Sequence, residues 1–391
     1  MSSIINSLLL GLTVTVANPT ANHRENVPVV VSLPASGEEV KSVTFTGQPD
    51  MPYQLDDMNA DGRADELVFL VDLKPSATRT FSIKTSPRPS TKEFEAGTSA
   101  YIKLNDKNKK HPRVQAITFP GTCDNREMYG AIYGHGVVLE GEMNAIRLYM
   151  DNRQSVDLYA KNHPQLELET TGFYTTRDQM NQGYGRDILW AGTSVALGSF
   201  RGWQDGKPVT IDSVTTRGQR VITTGPLRSV VEISDRGWVY NGRPVDMTQT
   251  YTIYKGHRDY EVDVKVTPSA GLTFCTGVQK VMNDNEGFIQ PDGLAGSWGN
   301  NVPDKNMAEV VDTLGLGIYV GPKYLVKTLE DDVNYLTILR PDASGRIKYH
   351  FTAAALRDVT SPRNPQEWWE YLRKWKTDLA NPVRITVKRT R

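Results

Sequence analysis

Cysteine is scarce in this chain. Cys123 and Cys275 are the only two among 391 residues. So widely separated, they cannot build a metal cluster by themselves; a disulfide and two buried thiols both remain open. An excess of charge is missing as well. Lys plus Arg and Asp plus Glu each number 45, for a formal net charge of zero. Nucleic acid and anionic membranes both call for a basic excess, so neither is expected as the main partner, although a local basic pocket is compatible with the balance. No run is long and apolar enough to span a membrane. The six histidines, His23, His111, His135, His163, His257 and His350, include no pair at H-E-x-x-H spacing. G-x-S-x-G, P-loop and dinucleotide fingerprints are also absent. Zinc hydrolases of that type, serine hydrolases, kinases and Rossmann enzymes therefore have no support.

Helical periods are nearly absent too, and what fills the chain is β signal. Short Val/Thr/Tyr-rich runs are punctuated by 32 Gly and 22 Pro, the pattern of an all-β protein. The length fits two domains, or one large β domain with an accessory. Residues 10–88 read as a small β-sandwich with strands at 12–18, 27–33, 40–46, 66–73 and 79–85. The Pro-rich stretch from residue 86 reads as a linker. Residues 97–391 then read as a large two-sheet sandwich. Asn241-Gly242 within it is a strong hairpin signal, and the alternating run 247–266 bends at Gly256. One helix is clear. Asn364 can cap it, Pro365 opens it and Glu367 completes a capping box. Trp368, Leu372, Trp375 and Leu379 form its apolar stripe. A last strand is expected at 383–387. Residues 4–12 are apolar without a basic lead, which fits a trimmed signal peptide or the approach to the first strand. A periplasmic or secreted location is the expectation.

The chemistry concentrates between Ile146 and Lys161. Alternation along a strand puts Ile146, Leu148 and Met150 on one face and Arg147, Tyr149 and Asp151 on the other. After a turn at Asn152-Arg153-Gln154, Val156, Leu158 and Ala160 share one face, and Asp157, Tyr159 and Lys161 the other. Two neighbouring strands thus carry guanidinium, phenol, carboxylate and ammonium groups on one sheet face. Such a face can be merely solvated, or it can serve acid/base work on an anionic sugar. Upstream, Gly134-His135-Gly136 sets an imidazole between permissive residues. His350, in a strand-like run, reads as a core or edge histidine that could reach the same cleft. Tyr184, Arg186, Asp187 and Trp190 follow a Gly-rich loop, and Trp298 sits in the Gly-rich stretch 293–299. Trp in such loops can stack on sugar rings or tuck into a core. Near the start, Asp57, Asn59, Asp61 and Asp65 with Gly62 space oxygen ligands as a calcium loop does. Val68 stands where a bidentate Glu would complete an EF-hand, so a structural Ca2+ loop between strands fits better than an EF-hand.

The run from Pro52 to Phe69, Gly134-His135-Gly136, Ile146-Arg147-Leu148-Tyr149, Val156 to Lys161, Arg186-Asp187-Ile188-Leu189 and Glu367-Trp368-Trp369 form an ordered set. Over nearly the whole chain they resemble a bacterial domain-of-unknown-function family from polysaccharide-utilisation loci. The resemblance implies a galactose-mutarotase-like β-sandwich acting on acidic glycans, and kinship with an ulvan oligosaccharide dehydratase. That enzyme eliminates water from a non-reducing-end uronic acid. Ala160 stands where this pattern leads us to expect Gly, which puts close backbone approach at that point in doubt.

The expectation for function is a hydro-lyase on uronate-terminated oligosaccharides, giving a 4,5-unsaturated sugar without an organic cofactor. Arg147 would pair with the carboxylate, His135 or Tyr149 would take the C5 proton, and Lys161 or the other of that pair would protonate the leaving hydroxyl. Asp157 would orient Arg147 or Lys161. Arg153, Tyr184, Arg186, Asp187, Trp190 and Trp298 would bind substrate. A polysaccharide lyase using the same β-elimination, or a glycan-binding protein without catalysis, are the alternatives.

Overall fold

The computed structural model describes residues 11–35, 39–304 and 310–390. The apolar stretch 4–10 lies outside them. The chain forms two compact units. Among the described residues, one takes in those within 11–97, 225–228 and 377–390, the other those within 98–224 and 229–376.

In the first unit the five expected strands all form, joined by a short one at Gln54–Asp56. With the last strand of the chain they build a four-stranded and a three-stranded sheet. Period-two alternation aims Leu12, Val14 and Val16 from one sheet, and Val29, Val31, Leu67 and Phe69 from the other, into a shared core. Phe69 meets Phe45 and Phe81 edge-on at 5.0 and 5.2 Å between centroids. One boundary differs from the sequence expectation. The last strand runs Arg384–Thr390 and pairs antiparallel with Gly11–Ala17, Val387 opposite Val14. It belongs to the N-terminal unit and not to the large domain. Alternation marks a strand but does not name its partner.

The second unit holds three sheets of nine, six and five strands, where the sequence led us to expect two. Their inward faces close on one core, which includes Ile146 and Leu148, Phe274 and Leu339, and Leu316 and Phe351. The hairpin at Asn241-Gly242 forms, with both residues at positive φ (51° and 74°), as a tight turn between twisted strands requires. The helix Pro365–Ala380 forms as expected. Asn364 accepts from the Glu367 N–H at 2.9 Å, and the Glu367 carboxylate takes the N–H of Arg363 at 2.8 Å. Trp368, Leu372 and Trp375 are buried and Leu379 half-buried. The stripe fits because the strand faces beneath it lack side chains. A Cβ on Gly315 would sit 2.7 Å from the Trp368 indole, and one on Gly296 2.6 Å from Leu372. Both cysteines are free thiols, Cys275 buried and Cys123 half-buried.

Candidate active site

The six-stranded sheet positions the site. Its strands run, in spatial order, Arg186–Asp187, Val156–Ala160, Asn144–Tyr149, Ile132–Gly141, Thr98–Leu104 and Arg113–Val114. The expected parity holds. Ile146, Leu148, Met150, Val156, Leu158 and Ala160 enter the main core. The opposite face is covered and not solvated. Segments between residues 162 and 192 fold over it and enclose a cavity of about 620 Å3. His135, Arg147, Tyr149, Arg153, Asp157, Arg186, Asp187 and Trp190 all line this cavity. Eight of the residues singled out in the sequence therefore converge.

Arg147 lies at the floor. Register sets it opposite Asp157, and its Nη2 donates to Asp157 Oδ2, to the Tyr149 hydroxyl at 2.7 Å and to Asp187 Oδ2 at 3.5 Å. The guanidinium also lies over Tyr149, Tyr159 and Phe173, 4.7 to 5.6 Å from the ring centroids. Only 4% of its side chain is exposed, and its Nε and Nη1 have no hydrogen-bond partner. Its Nη2 is thus committed to Asp157 and Tyr149, while two further nitrogens of this cavity-lining residue are not. Arg153 differs: 46% of its side chain is exposed while its guanidinium is steadied by buried Asp151 at 2.8 Å. Arg186 is held by Asp312 at 2.8 Å, and the second oxygen of Asp312 takes Arg357 at 2.7 Å. Of the three arginines, Arg153 is the most open to a ligand, with Arg186 at 18% and Arg147 at 4% side-chain exposure.

His135 projects from a bulge. The pairing of Ile132–Gly141 with Thr98–Leu104 shifts register between Tyr133 and Val138, and both Gly134 and His135 have positive φ, 76° and 68°. The flanking glycines serve packing and not ligand approach: a Cβ on Gly134 would enter the Phe173 ring, and one on Gly136 the backbone of Leu148. The imidazole stacks on Tyr129 at 4.4 Å and lies 6.2 Å from the Tyr149 ring. Burial and the Arg147 charge push its pKa below the usual histidine value, against the pull of Asp151 and Asp157. This favours the unprotonated imidazole relative to a free histidine. Tyr149 moves the other way. Burial and Asp157 push its phenol up despite Arg147, so it keeps its proton. Asp187 is also pushed well up, by burial and by Asp157 beside it.

Three expected residues do not join. Lys161 is buried, ion-paired to Glu140 at 2.6 Å, and donates to the Gln165 carbonyl. Burial lowers its pKa against that pairing. Its shared parity with Asp157 failed to bring it in because the strand ends at Ala160. Trp298 lies in the strand Leu294–Asn301, opposite Gly315 and only 6% exposed. The glycines that suggested a loop there make room for packing, Gly296 beneath the helix and Gly299 against the backbone at Asp284. Tyr184 is half-buried in the turn after the helix Arg177–Asn181 and does not line the cavity. His350 pairs opposite Glu261 in the nine-stranded sheet, away from this cavity's lining. Close backbone approach beside Ala160 does occur, and Gly185 supplies it: a Cβ there would enter the Ala160 carbonyl.

The structure adds residues that sequence reading missed. Tyr129 donates to Asp151 at 2.6 Å and supports His135. It lies on the short helix Asn125–Ala131, whose capping box Asp124/Glu127 is the one sequence signal that could have announced it. Phe173 and Tyr174 line the cavity from the covering segment, which carries no periodic pattern.

In the N-terminal unit, the oxygens of the calcium-like loop turn to the loop's own backbone. Asp57 accepts from Ala60 and Gly62, both at 2.7 Å, Asn59 from Asp61 at 2.8 Å, and Asp65 from Met58 at 2.8 Å. Desolvation raises the Asp57 pKa, and those N–H bonds together outweigh it and hold the carboxyl below its ordinary value. Among the described residues no group of three or more His, Cys, Asp or Glu side chains is placed to hold a metal ion.

Residues 16–385 match the family described as "Domain of unknown function (DUF4861)", and the chain belongs to that family. A relative described as "Uncharacterized protein P7" from Formosa agariphila is 21% identical over 358 residues, covering 86% of this chain and 81% of that protein. Among solved structures, a protein in the glycosyl hydrolase family 38 from Enterococcus faecalis aligns with 97% of this chain at a TM-score of 0.50 and 11% identity. This chain spans 47% of that one, and the likeness is one of fold. A putative aldose 1-epimerase from Klebsiella pneumoniae aligns with 73% of this chain and 97% of its own, at a TM-score of 0.33 and 8% identity. No helix among the described residues is long and apolar enough to cross a membrane.

Proposed function

We propose that the protein is a carbohydrate hydro-lyase that removes water from the non-reducing-end uronic acid of an acidic oligosaccharide. The observation that carries this reading is the placing of His135 and Tyr149, ring centroids 6.2 Å apart, in one cavity that Arg153 and Arg186 also line. Arg153 and Arg186 receive the uronate carboxylate, and their charge stabilises the enolate-like charge that develops when C5 loses its proton. His135 takes that proton as the neutral base. The C4–O bond breaks, the C4–C5 double bond forms, and Tyr149 gives its proton to the departing hydroxyl. Water leaves, and proton transfer from His135 back to Tyr149 restores both groups. Arg147 holds the phenol in place. Trp190 offers a ring face to the sugar.

The test is incubation with uronic-acid oligosaccharides, reading ultraviolet absorbance for the conjugated alkene and mass for loss of water. An alkene with chain cleavage instead of water loss would assign a polysaccharide lyase. Tight binding with no alkene from any such oligosaccharide would leave a glycan-binding protein.

Two further proposals accompany this reading. A periplasmic or secreted location, where such oligosaccharides are met, is checked by fractionating the producing cells. Structural Ca2+ at Asp57, Asn59, Asp61 and Asp65 rests on ligand spacing, and requires these carboxylates to turn from their backbone donors toward the ion. Added calcium should then raise the melting temperature of wild type but not of Asp61→Ala. Equal responses in the two would end that proposal.

A further inference from the structure

The cavity opens onto an aromatic strip that the chemistry above does not use. Tyr174 lines the cavity and is 58% exposed. Its ring lies 6.4 Å from that of Tyr133, at a steep angle. Tyr133 is half-buried, and His111 stacks on it at 3.8 Å with the planes 19° apart. His111 has a positive φ of 42°, uncommon for a residue with a side chain. Its ring nitrogen Nδ1 lies 3.3 Å from the Leu104 carbonyl. The three rings therefore run outward from the cavity across the Thr98–Leu104 side of the sheet.

The chain leading into His111 is basic. Lys107, Lys109 and Lys110 are all exposed, on a turn whose backbone is held by Asp106. No carboxylate among the described residues lies within ion-pair distance of them; the basic residues nearby that do have one, Lys103 and Arg113, share Glu169. Uncommitted ammonium groups at the end of an aromatic track match a ligand with flat apolar ring faces and regularly spaced anionic groups. A neutral glycan would use the rings and ignore the lysines. A nucleic acid would call for a larger basic surface than this balanced chain supplies.

We infer that the Tyr174–Tyr133–His111 strip and the Lys107–Lys110 turn form an extended subsite for the sugars that follow the terminal residue, so that the ligand is an anionic oligosaccharide longer than a disaccharide. The inference rests on the reading of the cavity as the seat of a terminal uronic acid. The anionic groups it requires are carboxylates or sulfate esters, which share the chemistry the lysines recognise.

The test is calorimetric binding of di- and tetrasaccharides from polygalacturonate and from ulvan, with neutral xylotetraose as control. The anionic tetrasaccharides should bind at least on the order of ten-fold more tightly than the disaccharides, and raised salt should shrink that advantage. His111→Ala and a Lys107/Lys109/Lys110→Ala triple variant should each lose most of it, while disaccharide affinity stays unchanged. Ulvan fragments binding better than galacturonates would point to sulfate, the reverse to carboxylate. No gain with length, equal binding of xylotetraose, or variants that keep the full gain would each overturn the subsite. Alkene formation is scored separately on disaccharides. A protein that binds long anionic chains through the strip yet makes no alkene would retain the subsite and lose the hydro-lyase reading.

Discussion

At the scale of single residues, the site separates two arginines that look alike in the sequence. Arg147 is enclosed and bonded through its Nη2 to Asp157 and Tyr149, whereas Arg153 presents nearly half of its side chain to solvent. Replacing them should give different kinetics. Arg153→Ala removes a carboxylate contact that binds substrate and strengthens as charge develops on it, so on a uronate oligosaccharide KM should rise and kcat should fall as well. Arg147→Lys keeps the charge but loses the planar fork, releasing the phenol it holds. It should lower kcat by roughly two orders of magnitude, the scale of one lost transition-state donor, with KM nearly constant. The pH dependence follows from the two titrating groups. A base must be unprotonated, so kcat/KM should fall as pH drops through the His135 pKa, which burial and Arg147 set below 6.5. An acid must be protonated, and Tyr149 is raised above its ordinary 10, so no alkaline limb should arise from it through pH 9. An acid limb above the usual histidine value, or its survival in His135→Gln, would take the base role from His135.

At the scale of elements, the strands and the one long helix were legible because their signals are local. Alternation gave the strand parity of Ile146–Leu148 against Arg147–Tyr149, and the Asn364–Glu367 cap gave the helix start. The site was legible where it lies on those strands. It was not legible where short connecting pieces supply it. Tyr129 lies on a seven-residue helix, and Phe173 and Tyr174 on an aperiodic cover, and neither has a period long enough to read. Trp298 and Lys161 failed for a different reason. Glycines mark close packing as readily as loops, and face parity ends where the strand does. The helix shows what such glycines are for. Gly315→Ala should force the Trp368 indole out of its seat and cost about 1 to 3 kcal/mol, as overpacking does. Chemical denaturation would show it as a lower midpoint at unchanged slope. A variant as stable as wild type would mean that the helix can shift without loss.

At the scale of the whole molecule, the chain closes on itself in a way its local signals do not announce. The strand Arg384–Thr390 is largely exposed along its length, yet it occupies the edge of Gly11–Ala17 over seven register positions. Its contribution in buried apolar area is small, since Val387 is only partly buried against the core. Its larger effect is to occupy the backbone donors and acceptors of a neighbouring strand whose inner residues Leu12, Val14 and Val16 are essential to that core. Removing residues 384–391 should therefore do two things. It should lower the thermal stability of the N-terminal unit modestly, and it should expose a flat seven-residue edge able to pair with another molecule. Size-exclusion chromatography should then show concentration-dependent association that wild type lacks. The cavity lies wholly within residues 129–310, in the other unit, and disaccharide binding there should be retained. A truncated chain that stays monomeric at high concentration would show that Gly11–Ala17 needs no partner on that side. Loss of the cavity's ligand would show that the two units do not hold their folds independently.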